Sequence, residues 1–253
     1  RAGGTLRLAG GVGIRNLFRP SFDLRLTAVN ALILDNDRGR ARADAQLAAV
    51  GPYEGVYVSG GVRVRQGVIY LPAQSNKEVI SAGDPALFNV VDTTVIADRE
   101  LLPAQSTLLR NLRMDINLRV DRGTWVRSKE ANVEIYSDGI LSIHVDRARN
   151  ALALEGVVNT DRGEYTFLSK RFQLKRGSAT FVGSPDLNPT LQITGEYEVK
   201  LPAREALFIR LLIGGTLQSL RLSLESDAQP PISQSDLLSY LAFGRSSSSL
   251  LRR

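Results

Sequence analysis

The sequence predicts an all-β fold, and three observations predict it. Apolar residues recur at every second position through most of the chain, which is the period of a strand with one sheltered face. Glycine, Asn and Asp punctuate these runs at short intervals, as turns and bulges require. Helix-capping chemistry is concentrated near residues 233–244.

Taken in order, Leu6 and Leu8 flank Arg7, and the glycines at 10, 11 and 13 are expected to break that run. Phe22, Leu24 and Leu26 then alternate with Asp23 and Arg25. Gly11-Val12-Gly13 lacks the third glycine of a dinucleotide fingerprint, and strands rather than a helix follow it. After Leu32-Ile33-Leu34 comes the turn Asp35-Asn36-Asp37-Arg38-Gly39, and then Ala41, Ala43 and Ala45 alternate with Arg40, Arg42 and Asp44. A calcium loop fails here, because glycine falls one place early and Gln46 stands where the bidentate glutamate belongs.

Residues 73–110 lose the alternation and read as a long connection. A loop of that length counts against a compact domain, so it is expected to pack partly along the sheet, with a strand near Phe88–Ile96. Order returns with Met114, Ile116, Leu118 and Val120 on one side and Arg113, Asp115, Asn117 and Arg119 on the other. Trp125 follows the Asp121-Arg122-Gly123 turn, with its face undecided between an inner anchor and a rim. Val133 and Ile135 precede a turn at Ser137-Asp138-Gly139. Leu141, Ile143 and Val145 then alternate with Ser142, His144 and Asp146. His144 is the sole histidine, and its alternation partners place it on the polar face, far from any nucleophile motif, so it reads as a solvated residue.

The pattern is clearest over residues 156–199. Asp161-Arg162-Gly163 reads as a hairpin connection, with glycine supplying positive φ. Tyr165 and Phe167 face one way and Glu164 and Thr166 the other. Phe172 and Leu174 continue the apolar face, and Gly177 restarts it at Ala179 and Phe181 through a bulge or tight turn. Leu191 and Ile193 resume it after Pro185 and Pro189. Leu207 to Ile213 and Leu220 to Leu224 give two further strands. Pro230-Pro231 ends the sheet, and Ser233 to Asp236 opens one short helix over 233–244 with Gly244 as its C′ residue. The tail 245–253 is expected to be flexible.

The chain also repeats itself. Val62, Val64, Gly67, Ile69 and Leu71 match Phe172, Leu174, Gly177, Ala179 and Phe181 in spacing, and Asp-Arg-Gly occurs at 37–39, 121–123 and 161–163. Such self-similarity suggests stacked, like units.

Composition narrows the function classes. Apolar residues make 43% and charged residues 23%, which is globular, and the 6% aromatic content leaves Leu, Val, Ile and Ala to build the core. The same scarcity of aromatics argues against the interfacial girdles of a transmembrane barrel. There is no cysteine, hence neither a disulfide framework nor a thiolate metal site. The net charge of +6 comes from arginines interspersed with 26 acids along strands, a solvated sheet face rather than a nucleic-acid footprint. No catalytic constellation, metal set or cofactor motif emerges. The chain opens at Arg1 with no apolar leader and no run approaching a membrane span, so 1–253 is expected to be one elongated β domain cut from a longer protein, any anchor lying outside it.

The run GEYTFLSKRFQLKRGSATFVGSPDLNPTLQITGEYEV, with SDLLSYLAFGR at 235–245, resembles the carboxy-terminal region of the TamB family. The resemblance covers about residues 111–245 and is looser before them. TamB proteins are translocation and assembly module subunits anchored in the inner membrane of diderm bacteria, related to AsmA-like and bridge-like lipid transfer proteins. The resemblance implies a long twisted sheet, mostly antiparallel, curled into a taco-like half-pipe with an apolar inner face. It implies a periplasmic lipid conduit without enzymatic activity, passing phospholipid between inner and outer membranes. The acyl chains would lie against Met114, Ile116, Leu118, Val120, Leu141, Ile143, Tyr165, Phe167, Phe172, Leu174, Phe181, Leu191 and Ile193. It also implies a TamA-like outer-membrane barrel as partner. Two alternatives stay open: a closed sandwich or barrel with a solid core, and a holdase or assembly factor that pairs its sheet edges with outer-membrane β-barrel proteins and autotransporters.

Overall fold

The computed structural model describes residues 3–14, 19–71, 107–199 and 206–243. Within them, thirteen strands join one open sheet. It begins as an antiparallel meander: β1 (Thr5–Gly13), β2 (Ser21–Asn36), β3 (Gly39–Pro52) and β4 (Tyr57–Tyr70). The glycines of β1 do not break it, since Gly10, Gly11 and Gly13 all pair across to β2. The β2–β3 connection is a two-residue hairpin in which the Arg38 N–H donates to Asn36 Oδ1 at 2.9 Å, so this Asp-Arg-Gly triplet behaves as its sequence predicts.

The other two triplets close no hairpin, although Arg122 and Gly123 do form a turn. Asp121-Arg122-Gly123 lies between β5 (Arg113–Val120) and β6 (Thr124–Arg127), which follow one another along β4 instead of folding back. Asp161-Arg162-Gly163 lies inside the continuous strand β9 (Ala151–Phe167). There the register with β7 (Ala131–Tyr136) slips between Glu134 and Tyr136, so the triplet is an in-line bulge rather than a hairpin. Ser137-Asp138-Gly139 likewise separates β7 from β8 (Leu141–Asp146), and these two run in line along β9. The Val120 N–H donates to Ser137 Oγ at 2.9 Å and the Ser137 N–H to the Val120 carbonyl, also at 2.9 Å, stitching the two interruptions side by side.

One junction is parallel. β4 pairs β5 from Tyr57↔Arg113 to Val64↔Val120 and β6 from Gly67↔Thr124 to Tyr70↔Arg127. Since β4 ends at Tyr70 and β5 starts beside Tyr57, the chain must travel back along the strand direction between them, which is why parallel neighbours need long connections. Of the connection expected over 73–110, Thr107–Arg110 forms a single helical turn, α1. The strand expected near Phe88–Ile96 lies outside the described residues, as do Gly244 and the 245–253 tail.

Beyond β9 the meander resumes with β10 (Lys170–Val182), β11 (Thr190–Val199), β12 (Leu207–Thr216) and β13 (Ser219–Ser226). The sequence repeat is a structural one. In β4 the register against β3 slips just before Gly67, and in β10 the register against β11 slips just before Gly177. Each slip absorbs one residue, so Val64 and Ile69 share a face, and so do Leu174 and Ala179. Both glycines sit where a Cβ would press on the next strand, on Ala41 in one case and on Thr160 and Ile193 in the other.

The helix α2 (Gln234–Phe243) is capped by Ser233, whose Oγ accepts from the Asp236 N–H at 3.2 Å. Its Leu237 and Leu241 pack on Phe172, Val199, Leu207, Ile209, Leu211 and Leu224, all buried. Among the described residues this is the one second layer on the sheet. Among the described residues β1 and β13 do not pair, so the sheet does not close into a barrel, and no second sheet accompanies it.

Candidate functional site

Directly opposed residues of neighbouring strands project to the same side of a sheet, so the registers sort the strand residues onto two faces. One face carries an unbroken apolar line, Leu8, Leu26, Leu47, Gly60, Ile116, Ile143 and Leu154, from β1 to β9. Another, from Thr160 through Gly177, Ile193 and Ile213 to Leu222, runs from β9 to β13. Among the described strands, the registers assign one charged side chain to this inner face, Lys170 beside the β9–β10 hairpin.

All thirteen residues singled out from the sequence lie on that face: Met114, Ile116, Leu118 and Val120 on β5, Leu141 and Ile143 on β8, Tyr165 and Phe167 on β9, Phe172, Leu174 and Phe181 on β10, Leu191 and Ile193 on β11. They do not share one environment. Met114, Leu118, Ile143, Phe181, Leu191 and Ile193 are half-buried, with no layer above them among the described residues, whereas Phe172 is fully buried. Its ring meets Phe167 edge-on at 6.3 Å and Tyr197 at 5.6 Å, and Tyr165 packs against the same cluster beneath α2. The sequence reading left Ile209, Leu211 and Leu224, which complete that seat, out of the site. Their alternation signal was as clear as the rest.

In-strand glycines with positive φ, at 10, 39, 51, 60, 156, 163 and 215, all fall on the inner face. At Gly60 an added Cβ would sit on the Gln46 carbonyl oxygen, and at Gly163 on that of Asn132. Where a sheet bends toward one side the Cβ atoms of that side converge, and glycine relieves the crowding.

The outer face is charged and interlocked. Arg65 reaches Asp44 at 2.6 Å and Asp121 at 3.7 Å, and Arg63 holds Asp121 at 2.9 Å. The Asn30 N–H and Arg65 keep the Asp44 carboxyl below the usual carboxylate range. The Tyr57 hydroxyl, donating at 2.6 Å, does the same for Asp115 together with His144, whose Nδ1 contacts the other oxygen. His144 is thus exposed and outward, as its alternation predicted. Trp125 is outward too, paired with Val68 and Glu134.

The two in-line Asp-Arg-Gly triplets meet around Glu134, which is only 2% exposed. Its Oε1 accepts from the Gly123 N–H at 2.7 Å, and its Oε2 lies 3.0 Å from Arg162 Nε and 3.7 Å from Arg122. Arg122 makes a paired contact with Asp161, at 2.8 and 2.6 Å, and lies over the Tyr136 ring. Arg122 lowers the Asp161 pKa, and the pairing raises that of Arg122. The triplets were legible in the sequence; their meeting on a buried glutamate was not. Two open dimples of about 690 and 450 Å³ lie on this outer face, the first at β10–β13 beside Arg176 and Arg221 and the second at β3–β5 beside Arg63 and Arg119.

One large open sheet, apolar on one side and charge-laced on the other, defines an all-β protein, and no group of residues that could hold a metal occurs among the described residues. The family model described as the TamB C-terminal domain matches residues 1–252, so the chain belongs to the TamB family and has a TamB-related role. The match extends to the amino-terminal part, beyond the stretch where resemblance was first evident. No curated protein matches the chain. No helix among the described residues is long and apolar enough to cross a membrane.

Proposed function

We propose that the chain is a lipid-conducting segment of an envelope bridge in the periplasm. Acyl chains of phospholipid slide along its inner face between the two membranes, and no catalysis is involved. The observation that carries this reading is the continuity of the inner face across thirteen strands, with Lys170 as the one charged side chain the registers assign to it among the described strands. Apolar surface left without a covering layer marks a place where an apolar ligand or partner binds. The inward glycines and the deep seating of α2 favour a sheet curled into a half-pipe, with head groups at its polar rims. TamB membership makes a TamA-like outer-membrane barrel the expected partner.

A photo-crosslinking residue tests the reading. Placed at Leu118 or Ile193 it should capture phospholipid, and at Arg119 or Gln192, one residue away and on the other face, it should not. Equal labelling of both faces, or none on the inner face, overturns the proposal. Phe172 is unsuited to this test because α2 covers it.

One observation favours the alternative of barrel-protein assembly. Among the described strands β1 pairs on one side alone and is exposed along its whole length, with Leu6, Leu8 and Val12 uncovered and neither proline nor lysine in it. Capture of an incoming strand by β1 would appear as crosslinks from Arg7 to a barrel substrate instead of to lipid.

A further inference from the structure

The helix α2 is seated too deeply for a helix lying on a flat sheet. Every residue from Asp236 to Leu241 is buried or half-buried, and these six positions cover all sides of the helix at 100° per residue. The inner face and the segment that leads into the helix, with Ala228 and Ile232, enclose it together. Leu237 and Leu241 fill the inner face at Phe172, Ile209, Leu211 and Leu224, in line with the apolar surface that stays uncovered further up the sheet. The helix thus occupies the space an acyl chain would take.

Its fit is imperfect. Ser239 is 7% exposed, and its Oγ finds no hydrogen-bond partner in that apolar seat. A polar atom left unpaired on burial weakens the docked state relative to one in which the helix meets water. The helix is ten residues long, below the length at which helices persist unaided, so its order depends on the seat.

We propose that α2 is a displaceable plug: it fills the β9–β13 end of the inner face in the absence of lipid and yields that space to arriving acyl chains. This rests on the conduit reading above and adds a control point to it. Lipid reaches the middle of the sheet freely and advances beneath β10–β13 only as α2 lifts.

The test uses the intact protein, vesicles of phosphatidylethanolamine and phosphatidylglycerol, and a photo-crosslinking residue at Ile143, outside the seat, or at Tyr197, within it. With native α2, capture at Ile143 should exceed that at Tyr197 severalfold. With Leu237→Asp and Leu241→Asp together, capture at Tyr197 should rise to the Ile143 level while Ile143 is unchanged. Hydrogen exchange of the native protein supplies a readout that needs no helix variant: amides of residues 237–243 should exchange faster when vesicles are present. Equal capture at both positions in the native helix background, or unaltered α2 protection while Ile143 captures lipid, overturns the plug and leaves the conduit standing. No capture at Ile143 in either background overturns the conduit, and the plug with it.

Discussion

The middle of the sheet and its carboxy-terminal end are held together in different ways. From β3 to β9, ion pairs and charge-assisted hydrogen bonds tie the outer face, while among the described residues no second layer covers the inner face. From β10 to β13 the roles reverse. Lys175 and Glu196 form an outer-face ion pair there, and the inner face carries the aromatic contacts and the α2 core. A sheet that must keep an apolar face accessible cannot use that face for a packed core. Small lateral clusters such as Ala28, Ala31 and Ala45 add to backbone pairing there, and the charge ladder on the far side adds the rest.

The largest test of this contrast is a carboxylate placed on the inner face at each end. Leu211 is 1% exposed beneath α2, so Leu211→Asp buries an unpaired polar group at a cost of several kcal/mol, a large part of a domain's whole stability of about 5 to 15 kcal/mol. Unfolding or insoluble expression is expected. Ile143→Asp, on the uncovered stretch, should stay folded by circular dichroism because the new head group can reach solvent. It should lose lipid capture at neighbouring positions. If Ile143→Asp fails as badly as Leu211→Asp, the middle is packed too and the contrast disappears.

The second test addresses curvature. Gly163 has φ +132°, and a Cβ there would strike the Asn132 carbonyl, so Gly163→Ala should cost about 1 to 3 kcal/mol in denaturant unfolding. Gly139, with open space around its Cβ position and no positive φ, is the control, and Gly139→Ala should stay within roughly 0.5 kcal/mol. Equal effects would mean that the inward glycines do not shape the sheet.

What the sequence revealed and what it hid follow from range. Face assignment is local, because alternation fixes it, and the thirteen chosen residues share one face for that reason. The bulges before Gly67 and Gly177 were visible as a one-residue break in alternation. Asp-Arg-Gly was ambiguous, since the same triplet closes a hairpin at 37–39 and forms an in-line interruption at 121–123 and 161–163; only cross-strand partners decide. The parallel β4–β5 junction and the seat of α2 are products of long-range pairing. Ser233 and Asp236 announce the helix without saying where it docks.

A third prediction removes the buried anchor of the ladder. Glu134→Ala deletes the acceptor for the Gly123 N–H and the partner of Arg122 and Arg162. Those arginines are half-exposed and can re-solvate, so the loss should be about 1 to 3 kcal/mol, below the cost of stranding a buried charge. Lipid capture at Ile193, toward the carboxy-terminal end, should be unaffected. Loss of capture there would mean that the ladder supports both regions and that they are not separable.

The smallest expected effect comes from acid, and it separates the regions without mutation. Asp44, Asp115 and Asp161 have folded pKa values below the ordinary one, through the Asn30 N–H and Arg65, through Tyr57 and His144, and through Arg122 respectively. A depressed carboxylate pKa adds stability that is fully present above the unfolded value of about 3.9 and is lost as pH falls through that value toward the folded one. These groups are substantially exposed, so solvent screens each contribution and the individual effects are small. They are also confined to the middle of the sheet, whereas the α2 seat is built from uncharged side chains. Native-state hydrogen exchange, corrected for the intrinsic pH dependence of exchange, should show protection in β4, β5 and β9 falling between about pH 5 and pH 3 ahead of that in β12 and α2, because sheets open locally before they unfold globally. High salt at neutral pH should weaken the same strands, since the screening length shrinks to about 3 Å at 1 M. If β12 and α2 lose protection in parallel with β4 and β5 under both conditions, the sheet opens as one unit and the division between a charge-held middle and a core-held end fails.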